Sequence, residues 1–179
     1  NLVPKGCRQL LGQDFVLLRE TFADIRKTSL LRRRHPIKHI VVALGATDAR
    51  GETVEILSAL QDLRVRGTDF SLHIILSKLA PGLDTIRTIL ADAPADWELS
   101  LDVEDMASVY ADTDLAIGAL GGSSWERACL GLPTIALLSA ENQHGNADAF
   151  VAAGAAVIIP SGERLGTRVA AKVQELIND

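Results

Sequence analysis

Read for the spacing of apolar and polar positions, the chain changes character at Lys38. Beyond it, short β-branched runs alternate with longer amphipathic segments. The runs are His39 to Leu44, Ser71 to Ser77, Trp97 to Leu101, Leu115 to Gly118, Pro133 to Leu138 and Ala156 to Ile159. Nearly continuous apolar runs of this length predict strands covered on both faces rather than on one. Between them the spacing predicts helices over Glu52 to Leu63, Leu83 to Ala91, Glu104 to Ala111, Ser124 to Leu130, Ala147 to Ala153 and Arg164 to Ile177. Strand and helix alternating in this way call for an α/β fold, a Rossmann-like doubly wound parallel sheet of about six strands with helices on both faces. Residues 38–179 are read as that domain.

The first 37 residues break the pattern. They hold a short strand expected at Phe15 to Leu18, a charged helical stretch, and the basic cluster Arg32, Arg33 and Arg34 ahead of Pro36. They read as a connection leading into the domain. The basic cluster reads as a solvated face, or as a patch that meets another domain.

Composition narrows the function. The chain of 179 residues has 47% apolar residues, enough for a substantial core, and its 18 Lys plus Arg against 23 Asp plus Glu leave a net charge of -5. That balance argues against a nucleic-acid partner, which needs clustered positive charge. Cys7 and Cys129 supply neither a disulfide framework nor a zinc site, and they suit a reducing, cytoplasmic setting. No apolar stretch approaches the roughly 20 residues of a membrane span, and no signal-peptide pattern is present. The chain starts at Asn1 rather than Met, in keeping with a piece of a larger protein.

In an open α/β sheet, ligands bind beyond the carboxyl ends of the strands, so chemistry is sought there. The first strand runs into Gly45-Ala46-Thr47-Asp48. Gly45, Thr47 and Asp48 read either as a ligand-facing loop or as a plain turn in which Thr47 or Asp48 caps the next helix. The fourth strand ends in Gly118-Ala119-Leu120-Gly121-Gly122-Ser123-Ser124-Trp125-Glu126. Its glycines allow close backbone approach, and Ser123 and Ser124 add hydroxyls suited to a diphosphate. The run is neither a P-loop nor GxGxxG, and it lacks the GxSxG of serine hydrolases.

Glu126 carries two readings that spacing does not separate. Ser123-x-x-Glu126 is the pattern of a capping box. Alternatively, an acceptor-only carboxylate is suited to the two hydroxyls of a ribose. After the fifth strand, Ser139 to Asn146 is dense in amides that suit a sugar, and His144 is the histidine placed at a strand end. His35 and His39 do not make a helical metal pair across Pro36. His73 reads as a hydrogen-bonded histidine of the sheet, Trp97 and Trp125 as packing residues, and Cys129 as a small buried hydrophobe.

The run DVEDMASVYADTDLAIGALGGSSWERACLGLPTIALLSAENQHGNADAFVAAGAAVII resembles the C-terminal domain of GT-B-fold nucleotide-sugar enzymes. Within these it is most similar to the UDP-sugar hydrolases of pseudaminic acid biosynthesis, with the lipid-linked GlcNAc transferase of peptidoglycan synthesis a more distant relative. The likeness covers about residues 38 to 175 and continues weakly through LLGQDFVLLRETF at positions 10 to 22. It rests on M-A, A-D-L-A-I-G, S-S-W-E-R, G-L-P, N-Q and G-A-A in family order.

The resemblance implies UDP or a UDP-sugar as ligand, with Val103 and Met106 near the uracil, Gly122, Ser123 and Ser124 at the diphosphate, and Glu126 on the ribose. Gly45, Thr47, Asp48, Asn142, Gln143, His144 and Asn146 would face the sugar, although Ala46 stands where the family has a second glycine. No cofactor or metal is implied. The hydrolases carry a catalytic histidine in a GxGH loop of their N-terminal domain, a motif these 179 residues lack. The implied partner is therefore an N-terminal catalytic domain of the same chain, with residues 1–37 as the end of that domain and the connection. The fragment alone is expected to turn over essentially nothing. The alternative is the donor-nucleotide domain of a GT-B glycosyltransferase.

Overall fold

A computed structural model describes residues 3–10, 12–33, 36–138 and 144–179, the side chains of residues 13 and 144–146 excepted. The six apolar runs form strands β1 (His39–Ala43), β2 (Ser71–Leu76), β3 (Trp97–Leu101), β4 (Leu115–Ala119), β5 (Thr134–Leu138) and β6 (Ala156–Pro160). They pair in the order β3-β2-β1-β4-β5-β6, every pair parallel. The direction of winding reverses between β1 and β4. There the crossovers leave toward opposite faces and a crevice opens at the strand ends.

The helices are α1 (Glu20–Arg32), α2 (Glu52–Val65), α3 (Leu83–Ala91), α4 (Met106–Ala111), α5 (Ser123–Cys129), α6 (His144–Ala152) and α7 (Leu165–Asn178). Strand side chains alternate between faces, which divides the core. Ile40, Val42, Leu72, Ile74, Leu115, Ile117, Ile135 and Leu137 point to one face, where Ile56, Leu60 and Leu63 of α2 and Val169 and Val173 of α7 close over them. Val41, Ala43, Ile75 and Ala116 point to the other, against Phe22 of α1, Ala107 and Tyr110 of α4, and Leu130 and Leu132. Farther along that face Ala136 meets Ala147 and Phe150 of α6.

The α2–α7 crossing is close because Gly166 has no side chain. A Cβ there would stand 2.4 Å from the Glu55 carbonyl oxygen. The carboxylate of Glu55 also accepts from the Gly166 amide at 2.9 Å.

Helix boundaries moved where a local hydrogen bond decided them. The fourth helix begins at Met106 rather than Glu104 because Asp105 caps it, accepting from the Ser108 amide at 3.1 Å and the Ser108 hydroxyl at 2.7 Å. The sixth begins at His144, three residues before the expected start.

Two expectations for the N-terminal segment are corrected. Phe15 to Leu18 form no strand. Gln13–Phe15 make a single 3-10 turn, and the residues after it pair with no strand of the sheet. The basic cluster is not a solvated face either. Arg32 pairs with Asp114 at 3.0 Å, while Arg33 donates to the carbonyls of Thr113, Tyr110 and Leu130 and to the Ser29 hydroxyl. Burial brings the Arg33 pKa down to about 10 even with Asp114 beside it. Arg34 lies outside the described residues.

The helical stretch itself packs on α4 and α5. Phe22 is fully buried, which stabilises the docked helix by about 1.5–3 kcal/mol. Seven residues on, along the same helix face, Ser29 donates to the Leu130 carbonyl at 2.9 Å.

Candidate functional site

The end of each central strand contributes to one cleft at the carboxyl edge of the sheet. A cavity of about 200 Å³ is lined by Gly45 and Ala46 after β1, Ser77 after β2, Asp102 and Val103 after β3, Met106 and Tyr110 of α4, and Ser123 and Glu126 of α5. Its wall is mainly apolar and its mouth carries the carboxylates. The volume falls below the roughly 300–1,000 Å³ of a pocket that encloses a drug-sized ligand, so it takes one ring system and leaves the rest of a longer molecule along the rim.

A larger cavity of about 480 Å³ lies on the sheet near His39, Ser71, His73 and Glu98. Several of its polar groups already have partners: His39 meets the Ser71 hydroxyl at 2.7 Å, and His73 meets the Ser100 hydroxyl at 2.9 Å and Glu98 at 3.3 Å, while Arg32 pairs with Asp114 and Asp96 with Arg64. The strand-end cleft therefore offers the better ligand chemistry. His73 is the hydrogen-bonded sheet histidine expected of it.

Val103 and Met106 lie side by side on the apolar wall. Gly45 lines the floor of the first loop with φ of 112°, a left-handed conformation that favours glycine. Ala46 in the next position lines the cavity too, and its carbonyl accepts from the Ser77 amide at 2.7 Å. Asp48 turns away from the cleft. It is buried, and its carboxylate accepts from the amides of Glu52 and Thr53 at 3.1 and 2.9 Å, which makes it the cap of α2. Thr47 is exposed and does not line the cavity.

The two serines after β4 have opposite fates. Ser123 lines the cavity, whereas Ser124 is buried and gives its hydroxyl to the Gly121 carbonyl at 2.5 Å. Gly122 is exposed and is the N-cap of α5 with no side-chain cap. The capping box is thus not formed, and Glu126 does not fold back on its own helix. Its carboxylate instead meets Arg19 at 3.3 Å, and Arg19 also donates to the Glu104 carbonyl at 3.0 Å. With Arg19 half exposed, that ion pair contributes no more than about 1 kcal/mol and yields readily to a ligand.

Asn142 and Gln143 lie outside the described residues, as do the side chains of His144 and Asn146. The backbone of the last two forms the start of α6.

Several cleft residues escaped the sequence reading. Asp102, in a left-handed conformation with φ of 53°, is held below the usual carboxylate range by hydrogen bonding from the Ser77 hydroxyl and from the Lys78 amide and ammonium. Arg19 reaches the cleft across 107 positions of sequence, for which no local signal exists. Arg127 lies behind Ser123, buried to 1% exposure. Its four-residue spacing from Ser123 on one helix was the available clue. Trp97 packs on Phe70 and Trp125 on Phe150, as packing residues do. Among the described residues no group of three or more His, Cys, Asp and Glu is placed to hold a metal ion. Among them, too, no helix is long and apolar enough to cross a membrane.

The six-stranded parallel sheet with its cleft at the switch point is the Rossmann-like α/β architecture of GT-B glycosyltransferase C-terminal domains. Residues 96–179, a little under half of the chain and including the cleft's Ser123 and Glu126, match the model of the Glycosyltransferase family 28 C-terminal domain. Among solved structures, the fold is shared with Acinetobacter baumannii MurG, at TM-score 0.61 and 22% identity over 84% of this chain and 46% of that one. It is shared also with S. aureus MnaA in a co-structure with UDP, at TM-score 0.61 and 22% identity over 84% and 39%.

By sequence the chain is 27% identical to the spore coat polysaccharide biosynthesis protein SpsG of Bacillus subtilis, over 85% of this chain and 44% of that protein. It is 26% identical to the UDP-N-acetylglucosamine–N-acetylmuramyl-(pentapeptide) pyrophosphoryl-undecaprenol N-acetylglucosamine transferase of Myxococcus xanthus, over 97% and 45%. The chain spans less than half the length of these relatives. It is thus similar to a polysaccharide biosynthesis protein and to an N-acetylglucosamine transferase, and pseudaminic acid hydrolysis is not among the activities these relatives are named for.

Proposed function

We propose that this chain is the nucleotide-binding half of a two-domain enzyme that uses a UDP-sugar, and that the strand-end cleft receives the UDP moiety. The observation that carries the reading is Glu126 at the mouth of a mainly apolar cavity, its carboxylate free of the capping role the sequence allowed it. Uracil fits the wall of Val103 and Met106. Ribose lies at the rim, its two hydroxyls donating to Glu126 in place of Arg19. The diphosphate then follows the turn at Gly122 and meets Ser123. Ser124, committed to Gly121, takes no part through its hydroxyl, and Asp48 serves the fold. The sugar extends past Gly45 toward the loop that holds Asn142, Gln143, His144 and Asn146.

In the whole enzyme, an acceptor hydroxyl attacks C1 of the sugar and gives its proton to a general base of the N-terminal domain. The C1–O bond to the diphosphate breaks with its electron pair on the departing oxygen, and hydrogen-bond donors at the turn stabilise the charge that develops there. Relatives named as a transferase and a polysaccharide biosynthesis protein favour a hydroxyl group of a sugar as acceptor. The second reading, water as acceptor and a diacetamido-trideoxy hexose as sugar, rests on the resemblance carried jointly by M-A, A-D-L-A-I-G, S-S-W-E-R, G-L-P, N-Q and G-A-A. Residues 1–37 would be the connection from an N-terminal catalytic domain, with exposed Leu10, Phe15 and Leu17 facing it. A cytoplasmic setting suits the free Cys7 and Cys129.

Titration of the chain with UDP and with 2′-deoxy-UDP tests the site. The carboxylate reading expects a preference for UDP. It expects Glu126→Ala to lose that preference and at least about tenfold in UDP affinity, since a hydrogen bond to a charged group contributes about 1.5–3 kcal/mol. A wild-type chain indifferent to both nucleotides, or a Glu126→Ala variant that binds UDP as the parent does, refutes it.

A further inference from the structure

Arg127 is the one fully buried arginine among the described residues, and its position has a cost. A guanidinium cannot shed its charge on burial as an ammonium can, and an unpaired buried charge is less stable than a well-packed apolar side chain of the same volume. Among the described residues Arg127 forms no ion pair, and its Nε has no hydrogen-bond partner. One terminal nitrogen donates to the Ala119 carbonyl at 2.7 Å and the other to the Ser123 hydroxyl oxygen at 3.2 Å. Its carbon lies 5.9 Å from the centre of the Tyr110 ring, so that the guanidinium sits directly behind two residues that line the cleft, Tyr110 and Ser123. Room for it exists only because position 118 is glycine. A Cβ there would stand 2.7 Å from the nearer terminal nitrogen.

The charges around the cleft say what this arrangement is for. Lys78 is paired with Asp102 at 3.4 Å and Arg19 with Glu126 at 3.3 Å, so each rim carboxylate is neutralised by its own cation. Among the described residues at the cleft, Arg127 is a cation without a carboxylate of its own. Its hydrogen bond also fixes the polarity of Ser123. Because the hydroxyl oxygen accepts from the guanidinium, the hydroxyl hydrogen is left to donate elsewhere, and Ser123 lines the cavity. A donor backed by a buried positive charge suits an anion.

Building on the proposed nucleotide site, we infer that Arg127 is a positioning residue for the diphosphate. It acts through Ser123, holding that hydroxyl as a hydrogen-bond donor toward the anion and supplying a fixed positive charge from behind. The guanidinium need not touch the ligand.

The test compares UDP with uridine, which shares the base and ribose contacts and lacks the anion. Both are titrated by NMR into the 179-residue chain, wild type and with Arg127→Gln, Arg127→Lys, Ser123→Ala and Ser123→Ala/Arg127→Lys. The expected result is a loss of about tenfold or more in UDP affinity in each single variant, with uridine affinity held within about threefold, because one charge-assisted hydrogen bond contributes roughly this much. A purely structural role lowers both ligands together. Arg127→Lys is expected to add little once Ser123 is Ala, since its effect runs through that hydroxyl.

Retention of the UDP-to-uridine ratio in Arg127→Gln overturns the inference, as do losses that multiply in the double variant. If the Arg127 variants do not fold, Ser123→Ala alone decides, and an unchanged ratio there overturns it. A wild-type chain that binds neither ligand overturns the nucleotide site itself, and this inference with it, whereas normal binding with an unchanged ratio overturns this inference alone.

Discussion

Gly118→Ala puts the buried guanidinium to a direct stability test. The three atoms nearest a Cβ at this position all belong to Arg127, at 2.7, 2.8 and 3.0 Å, the first two closer than real Cβ contacts come. The fold can answer in two ways. If Arg127 stays, the backbone of β4 must shift, and overpacking of that kind costs about 1–3 kcal/mol. If Arg127 swings away, it forfeits its bonds to Ser123 and the Ala119 carbonyl, each contributing about 1.5–3 kcal/mol and so about 3–6 kcal/mol together. The cheaper route sets the loss, about 1–3 kcal/mol, which for a chain of this length lowers the midpoint of thermal unfolding by roughly 2–12 °C. Urea and thermal unfolding of the variant measure it. In an Arg127→Met background the clash is gone, and the same glycine substitution should cost under about 1 kcal/mol, a coupling expected only of groups in contact. A Gly118→Ala variant as stable as the parent, or one equally destabilised in both backgrounds, refutes the placement of the guanidinium.

Two further outcomes follow from the packing and the titrating groups. Gly166→Ala places a methyl 2.4 Å from the Glu55 carbonyl, a backbone atom that cannot yield, so α7 must move off α2 at a cost of about 3 kcal/mol in urea unfolding; a change under about 0.5 kcal/mol would show that the helices do not cross so closely. His73 is held below its ordinary 6.5 by burial, with Glu98 opposing. The folded state thus binds fewer protons than the unfolded chain, and stability should fall as pH drops below about 6.5. Asp102 and Asp105, both held below 3.8, add a loss of the same sign at lower pH, where the carboxylates protonate. His73→Gln should flatten the dependence that sets in below about pH 6.5 while leaving the carboxylate limb at lower pH, and an unaltered profile would assign the titration to another group.

The architecture was legible in the sequence because a strand buried on both faces must be apolar along its whole length, a local property that needs no knowledge of its neighbours. Trp97–Leu101 and Leu83–Ala91 lie where their patterns place them, and the remaining elements differ by a few residues at their ends. The location of the cleft was legible for a related reason. In a parallel sheet of this kind the loops after the strands converge, so Gly45, Val103, Met106, Ser123 and Glu126 meet there whatever the side chains between them do.

What the side chains at the cleft do was settled by tertiary structure. Asp48 and Glu126 are both acidic residues beside helix starts, each suited by spacing to a cap or to a ligand; the fold made Asp48 a cap and turned Glu126 to Arg19. Adjacent Ser123 and Ser124 were indistinguishable by composition and diverge by about one helical step of rotation, one toward the cavity and one toward Gly121. The basic cluster resembled a solvated patch because its partners, Thr113, Asp114 and Leu130, lie far along the chain. Local periodicity fixes which residues are covered, since burial acts on each position separately. Which polar group meets which is decided only when elements distant in sequence are packed, because a hydrogen bond or an ion pair depends on a few tenths of an ångström between two specific atoms.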